Sequence, residues 1–498
     1  MRDNMRTADA TGEQPTTGWK PWYTLWGFLF LGWTFSAADR ALTGPVVTYM
    51  IQHKVDFLAT APNPHGLGGL IGGLFFAGYM LTQLPGGYLG DRFGHRSVIV
   101  VSLVWAGIAT LLTGLISGLI LFIVIRVLTG LGEGAYYSND RSVISSSTPV
   151  RQRSIGMGVA ITGLAVGITI ATVGTPWLIQ WGRPLVSAGQ EWRSPFLILG
   201  VVTLVVGLGI YVYFRAGGHR MQLGKATVRL LGTSAIALAA VMAVYFAGRA
   251  LHFGDIAIAV VEVGLAVALM AYFLFGRGAD RHSQATRSRD LWLVYLSMFA
   301  VLWNLWFFGF WSVAIIADTA KELGFAQAAL VAGFNAGAGI LGFPTGGWLS
   351  DYAVRRGWGR KPMLLTFTLI QGVLTAVFGY TATTGKPNVV LLAVLLFTAS
   401  LFFNALQPIS HALLADLARP EVRGTAFGMS NLVGETGAVL SPAISGVLRD
   451  VTGSWAAAIY LDAAIILTSF VLITFVRERQ FAHREDELPA TDAAVEPV

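Results

Sequence analysis

Long apolar segments, separated by short polar stretches, follow one another along almost the whole chain. A helix needs about 20 mostly apolar residues to cross a bilayer, and fourteen segments have that character. Six lie at 23–50, 67–88, 97–117, 119–139, 154–181 and 192–214, and six more at 291–318, 325–349, 362–380, 388–411, 425–448 and 454–476. Two further segments, 228–248 and 255–275, separate these sets. The pattern predicts an all-α protein that crosses a membrane fourteen times.

The basic residues between the segments indicate which ends face the cytosol. Cytosolic loops are enriched in Lys and Arg. With the N-terminus inside, 25 of the 34 Lys and Arg lie in inside loops and tails and 7 in outside loops, while Arg40 and Arg126 lie within apolar segments. The first 22 residues lack the cleavage site of a signal peptide, so we expect a cytosolic tail and a retained first span. Both termini are therefore expected in the cytosol.

A repeated motif predicts two similar halves. Residues 85–91, Pro-Gly-Gly-Tyr-Leu-Gly-Asp, recur at 344–351 as Pro-Thr-Gly-Gly-Trp-Leu-Ser-Asp, with the glycines and the aspartate offset by 260 residues. Two halves of six helices would give an offset of about 200, and the surplus matches two inserted helices with their loops. We therefore expect tails at 1–22 and 477–498, six-helix bundles at 23–214 and 291–476, and a linker with two inserted helices at 215–290.

Composition excludes several other classes of protein. Charged residues make up 12% of the chain and hydrophobic residues 54%, whereas soluble domains average about 25% charged residues. Basic residues are scattered between apolar runs, rather than gathered on the single face or stripe that binds nucleic acid. Cysteine is absent and the eight histidines lack metal-ligand spacing. Gly-rich stretches lack the Lys-Ser/Thr of a nucleotide-binding loop. We predict neither an enzyme nor a cofactor or metal.

Four charged residues within the apolar segments are the first candidates for function. Each charge near the centre of a membrane helix costs at least about 2.5–3.5 kcal/mol, so it persists when paired or beside a wet cavity. Asp39 and Arg40 lie in the first segment, and Arg126 and Glu133, two turns apart, in the fourth. At 1.5 Å per residue, Arg40 lies about 26 Å from the inner start of its helix and Arg126 about 10 Å from the outer start of its own. The two arginines therefore reach similar depth.

These four residues could couple the transport of an anion to the transport of a proton. The planar guanidinium of arginine suits a carboxylate, so Arg40 or Arg126 could bind a substrate anion by giving up its ion pair with Asp39 or Glu133. A carboxylate without its cation favours the protonated form in a low-dielectric cavity, and proton and anion would then move together. This mechanism requires Arg126 to face a water-accessible cavity between the bundles. The alternative is a static network that only orients the helices.

Polar residues near the middle of other segments form a second group of candidates. They are Tyr79, Asn304, Asn335, Asn404, Gln407, Asn431 and Glu435, with Glu262 in the second inserted segment. Such groups could bind hydroxyls of a polar substrate, and Tyr79, Asn304, Asn404 and Gln407 are the predicted binders. Hydrogen bonding between helices is the alternative, and it is the commoner role. Glu435 is a third candidate for proton coupling, after Asp39 and Glu133.

Residues 87–96, Gly-Tyr-Leu-Gly-Asp-Arg-Phe-Gly-His-Arg, resemble the signature of the major facilitator superfamily, and a degenerate copy ends at 356–361. The resemblance implies two six-helix bundles with a site between them. It also implies that Asp91, Arg92, Arg96, Asp351 and Arg360 gate the cytosolic side through a charge network. The alternative for these loop residues is that they only satisfy the excess of positive charge on the inner side.

Asp39-Arg40, the run at 126–134 and the run at 191–196 look more specifically like the anion:cation symporter branch, which includes bacterial hexonate and hexuronate carriers. This resemblance implies that Arg40 and Arg126 bind the anion and that Asp39 and Glu133 carry the coupling proton. Two features depart from it: the inserted helices, and Asn304 where some members have an arginine.

Three functions are compatible with these residues. The first is proton-coupled symport of a small organic anion, such as a sugar acid or other carboxylate, by alternating access. The second is a 14-helix proton-coupled exporter of drugs or metabolites, which the two arginines disfavour. The third is a non-transporting receptor or scaffold, which the charges at depth disfavour. For the first we expect a multi-pass monomer in the inner (plasma) membrane whose partners are the anion, protons and lipid.

Overall fold

The computed structural model describes residues 18–149, 152–276, 284–384, 388–419 and 422–478, and within them the secondary structure is helical, without strands. The helices are α1 Pro21–Gln52, α2 Pro64–Phe93, α3 His95–Leu115, α4 Leu119–Gly134, α5 Tyr136–Ser147, α6 Arg153–Trp181, α7 Ser194–Ala216, α8 Leu223–Ala250, α9 Asp255–Gly276, α10 Gln284–Arg287, α11 Arg289–Thr319, α12 Phe325–Arg355, α13 Lys361–Thr383, α14 Val389–Leu417, α15 Arg423–Thr452 and α16 Ala456–Thr474. Short 3₁₀ turns lie at Asp56–Leu58, Arg183–Leu185 and Glu191–Arg193. Most of the predicted tails fall outside these residues.

Equivalent helices pair in the same way in the two halves. In the first half α1 packs on α6, α2 on α4, and α3 on α7. In the second half α11 packs on α15, α12 on α14, and α13 on α16. Each pair in one half has its counterpart in the other, which agrees with the repeated sequence motif. The inserted helices α8 and α9 pack mainly on the outside of α2, α4 and α15.

With α4 and α5 counted as one segment, twelve helices in the described residues are long and apolar enough to cross a membrane, and both inserted helices are among them. The helices α1 and α15 are not, although they are 32 and 30 residues long. They carry buried polar and charged residues, including Asp39, Arg40 and Glu435, which reduce their hydropathy. The count of fourteen spans therefore stays a prediction.

Glycines bring α4 against α2 and so position the charged residues of α4. A Cβ atom at Gly130 would lie 2.1 Å from the carbonyl oxygen of Phe75, and one at Gly134 would lie 2.1 Å from that of Tyr79. Only glycine allows two helix backbones to approach this closely. Arg126 and Glu133 share this helix, and both are buried at the contact with α1 and α2.

The two halves contact each other near the middle of the molecule and at one end, which we call the distal end because it lies opposite the Asp91–Arg96 loop. There the Nδ1 of His65 at the start of α2 lies 2.6 Å from Oδ1 of Asp450 in α15. The same carboxylate accepts a hydrogen bond of 2.8 Å from the backbone N–H of Gly66. Towards the Asp91–Arg96 loop, which we call the signature end, α5 packs chiefly on helices of its own half. The distal end is therefore closed.

Candidate functional site

The four charged residues predicted from the sequence form two ion pairs between α1 and α4. Nη2 of Arg40 lies 3.2 Å from Oε2 of Glu133, and Nη1 of Arg126 lies 3.3 Å from Oδ1 of Asp39. The hydroxyl of Ser36 donates to Oε2 of Glu133 at 2.9 Å and accepts from Nη2 of Arg40 at 3.1 Å. Each arginine thus pairs with an acid of the other helix, and four charges are balanced within the first half.

Arg126 does not face the cavity that the sequence interpretation required. Its side chain is fully buried, and its Cζ lies 4.8 Å from the ring centre of Phe75 and 5.8 Å from that of Phe196. Its Nη2 also donates to the backbone carbonyl of Asp39 at 3.4 Å. All these contacts lie within the first half, because glycines hold α4 tightly against α2. In this conformation Arg126 orients Asp39 and joins α4 to α1.

Arg40 instead lies at the boundary between the two halves. Its Cζ is 4.3 Å from the ring centre of Tyr79 in α2 and 5.8 Å from that of Trp306 in α11. Its side chain keeps 5% of its surface exposed, against none for Arg126. Of the two predicted anion-binding arginines, only Arg40 contacts both halves. Tyr79, a predicted binder, adjoins it through a cation–π contact.

The second half contributes Glu435, the third predicted proton carrier, which is buried on α15. Its Oε1 accepts a hydrogen bond of 3.2 Å from Nε2 of Gln83 in α2. The side-chain amide of Asn431 donates to the amide oxygen of Gln83. Gln83 thus connects the two halves next to Arg40. The sequence interpretation missed Gln83, although it follows Tyr79 by one helical turn, which was the available signal.

Two of the three predicted binders of the second half, Asn304 and Asn404, line a pocket whose wall does not include Arg40. This small pocket lies between α6 and the helices α11, α12 and α14, and Asn304, Asn335 and Asn404 supply its polar wall. Asn304 donates to the buried carboxylate of Asp462 at 2.6 Å, a residue that the sequence interpretation missed. Asn404 donates to the backbone carbonyl of Ser400 at 2.7 Å, and the hydroxyl of Ser400 donates to Asn335.

The bonds of Asn304 and Asn335 join different helices, as the alternative interpretation expected, whereas the bond of Asn404 stays within α14. The apolar part of the wall includes Leu164, Ala165 and Ile168 from the first half. Gln407 is partly exposed on α14, one turn beyond Asn404. The inserted Glu262 is buried, and neither of its carboxylate oxygens has a hydrogen-bond partner among the described residues.

The predicted gating residues of the first half lie at the signature end. Oδ1 of Asp91 is 3.4 Å from Nε2 of His95, and Arg92 is exposed. Nη2 of Arg96 donates to the hydroxyl of Ser147 in α5 at 3.0 Å. These contacts connect α2, α3 and α5 within one bundle.

The second half has a denser charge network at the equivalent loop. Arg360 donates through Nη1 to Asp351 at 2.9 Å and through Nε to Asp416 at 2.7 Å. Its backbone N–H donates to Glu478 at 2.6 Å. These bonds too stay within one half. A latch between the halves, formed by these loops in another conformation, stays a prediction.

Comparison with known proteins shows which family and which transporters this chain is similar to. The sequence profile of the Major Facilitator Superfamily matches residues 29–317 and 291–497. A probable sulfoacetate transporter of Cupriavidus necator is 25% identical over 427 residues, which are 84% of this chain and 87% of that one. The D-galactonate transporter of Escherichia coli is 26% identical over 406 residues, 80% of this chain and 84% of the relative.

A solved structure supports the same fold. The xylose transporter XylE from Escherichia coli, in an inward open conformation, superposes with a TM-score of 0.64 at 15% sequence identity. The match covers 92% of this chain and 97% of that one.

Proposed function

The chain belongs to the Major Facilitator Superfamily, and we propose that it carries a small organic anion together with a proton across the membrane by alternating access. Its relatives include a probable sulfoacetate transporter and a D-galactonate transporter, and both of these acids are small and ionise. We propose an acid of this size, a carboxylate or a sulfonate, as the substrate. The matches cover 87% and 84% of the length of these two relatives, so the similarity extends through both halves.

Because Arg126 is enclosed within the first half, the proposal assigns the anion to Arg40 alone. The observation that supports it best is the Arg40–Glu133 pair at the boundary of the halves. A guanidinium there, beside Tyr79 and Trp306, offers an anion a fixed charge and a planar set of donors. An anion bound to Arg40 would displace Glu133 from its partner 3.2 Å away. Since an unpaired carboxylate is costly in a dry site, Glu133 would take up a proton, and the charge of the site would stay balanced.

Glu435 and Asp39 would complete this coupling. Glu435 faces Gln83 across the boundary between the halves, so protonation there would loosen a contact that holds the halves together. Asp39 keeps Arg126 neutralised deep in the first half. Net neutrality matters because moving charge through hydrocarbon is expensive, so only a balanced site can reorient readily.

The closed distal end defines one state of the transport cycle. We propose that the signature end faces the cytosol, together with both termini, and that the structure is an inward-facing state in the inner membrane. Rocking of the bundles about Arg40 would separate the His65–Asp450 contact and open the site to the other side. In this proposal α1 and α15 also cross the bilayer, so the chain has fourteen spans.

Uptake into liposomes tests this proposal directly. Purified protein should take up labelled D-galactonate or sulfoacetate faster when the outside is more acidic than the lumen. Glu133→Gln should remove that acceleration, because the side chain can no longer carry a proton. Arg40→Gln should lower uptake about 10–100-fold through loss of charge-assisted bonds to the anion.

The control is Glu322→Gln, an equal chemical change at an exposed position in the loop after α11, which should behave as the unchanged protein does. Gradient-driven uptake that persists in Glu133→Gln would refute the proposed coupling. Proton release driven by added drugs, without uptake of any acid, would favour the exporter instead.

A further inference from the structure

A third pairing of acid and arginine lies beside the central site, on α5. Asp140 is buried, and its Oδ2 accepts a hydrogen bond of 2.7 Å from Nε1 of Trp33 in α1. Nη1 of Arg141 lies 3.8 Å from the same oxygen. Asp140 follows Glu133 by seven residues, so the acids of Glu133 and Asp140 lie on one side of the α4–α5 segment.

Arg40 and Arg141 both contact the ring of Trp33. Their Cζ atoms lie 5.9 and 5.6 Å from the centre of the indole, so the guanidinium groups are at most about 12 Å apart. Arg141 also lies 5.2 Å from the ring centre of Tyr137. The two aromatic rings hold the Arg141 side chain against α5 and α1, which limits the entropy that an anion would have to remove on binding.

Arg141 is more accessible and less tightly paired than the other two arginines. Its side chain is 23% exposed, compared with 5% for Arg40 and none for Arg126. Its 3.8 Å separation from Asp140 exceeds the 2.7–2.9 Å that is usual for a charge-assisted hydrogen bond. A guanidinium has five N–H donors, so Arg141 keeps capacity for an anionic oxygen.

We propose that Arg40 and Arg141 bind the two ends of a dianionic substrate, either a dicarboxylate or a carboxylate that also bears a sulfonate. The inference rests on the proposed function and specifies its substrate class. A six-carbon diacid spans roughly 6–7 Å across five carbon–carbon bonds of about 1.5 Å. A bound carboxyl carbon lies about 4 Å from the guanidinium carbon, given contacts of 2.7–2.9 Å. Such an acid can therefore reach both arginines.

Some members of the similar branch have an arginine on α11 where this chain has Asn304. Arg141 would supply the second positive charge that selects a dianion in its place. Asn304 donates to Asp462, and a carboxylate there repels an anion rather than binding it. The second positive charge comes instead from α5 in the first half. A monoanion would use Arg40 alone, whereas a dianion would gain a second charge-assisted contact at Arg141. The dianion also brings a second negative charge, so Asp140, which gives up Arg141 as its partner, would take up a second proton and keep the site balanced.

Two acids that differ at a single terminus test the inference. Galactarate carries a carboxylate where D-galactonate carries a hydroxymethyl group. Uptake of both is measured for the unchanged protein and for Arg141→Gln in liposomes, and the ratio of their kcat/KM values is compared. We expect the unchanged protein to prefer galactarate and the ratio to fall at least about tenfold in Arg141→Gln. Arg141→Lys should keep part of the preference, because charge remains while the planar fork is lost.

Arg215→Gln is the matched control, since it removes one exposed arginine at the end of α7, and its ratio should not change. A general folding defect in Arg141→Gln would lower uptake of both acids equally and leave the ratio intact, which would overturn the inference. Coupled uptake of galactonate without preference for galactarate in the unchanged protein would overturn it as well, while leaving the proposed function standing. Absence of uptake of both acids and of sulfoacetate would refute the proposed function and this inference together.

Discussion

At the scale of single residues, two arginines predicted at similar depth have different surroundings, and we propose different roles for them. Arg40 lies between Tyr79 and Trp306, where both halves meet, and in the proposed mechanism it exchanges Glu133 for a substrate anion. Arg126 is enclosed by Phe75 and Phe196 and cannot reach a substrate without rearrangement. Its charge serves the first half by neutralising Asp39.

The Arg126–Asp39 pair should behave as a coupled unit in stability measurements. Asp39→Asn or Arg126→Gln alone leaves a buried charge without its partner, and each should cost about 3–5 kcal/mol of folding free energy. The double variant removes both charges and should be more stable than either single variant. Thermal unfolding of the four proteins in detergent checks this ordering. Destabilisations that simply add in the double variant would show that the two residues do not act as a pair.

At the scale of helices, close contact between α2 and α15 keeps the distal end closed. A Cβ atom at Gly69 would lie 2.0 Å from the backbone carbonyl oxygen of Pro442, and one at Gly73 would lie 2.5 Å from that of Val439. Backbone atoms cannot move aside as the end of a flexible side chain can. A side chain at either glycine should therefore separate the helices and favour the state in which the distal end is open.

Gly69→Val should thus raise the exposure of the α2–α15 interface. The chain contains no cysteine, so Val439→Cys, at a fully buried position, introduces a single reporter. We expect labelling of this cysteine by a membrane-impermeant maleimide to increase several-fold when Gly69→Val is added. Gly158→Val is the control, because a Cβ atom there would meet nothing within 4 Å. Equal labelling in all three backgrounds would mean that this contact does not govern closure.

At the scale of the whole molecule, the sequence predicts the helical elements and their repetition well, because hydrophobic length and a duplicated motif are local signals. It also identifies Asp39, Arg40, Arg126 and Glu133 as buried charges. It does not predict the pairing of these four, since depth estimates place both arginines alike and the packing of α4 on α2 decides which one is enclosed.

Contacts between distant parts of the chain cannot be predicted from local sequence patterns. His65 and Asp450 are separated by 385 residues, and neither belongs to a motif. The apolar segment ends at residue 139, so the hydrophobic pattern places Arg141 in a loop, whereas the helix continues as α5 to Ser147. Polar residues such as Gln83 and Asp462 are single interruptions of apolar runs, and their importance emerges only from their partners.

Proton movement during anion entry is the most direct test of the coupling between Arg40 and Glu133. Liposomes that contain the protein and a trapped pH-sensitive dye are mixed with D-galactonate or sulfoacetate at equal pH inside and outside. The lumen of liposomes with the unchanged protein should acidify in step with anion uptake. In the Glu133→Gln variant, any anion uptake should proceed without acidification. Accumulation of the anion by the unchanged protein at constant lumenal pH would contradict the coupling.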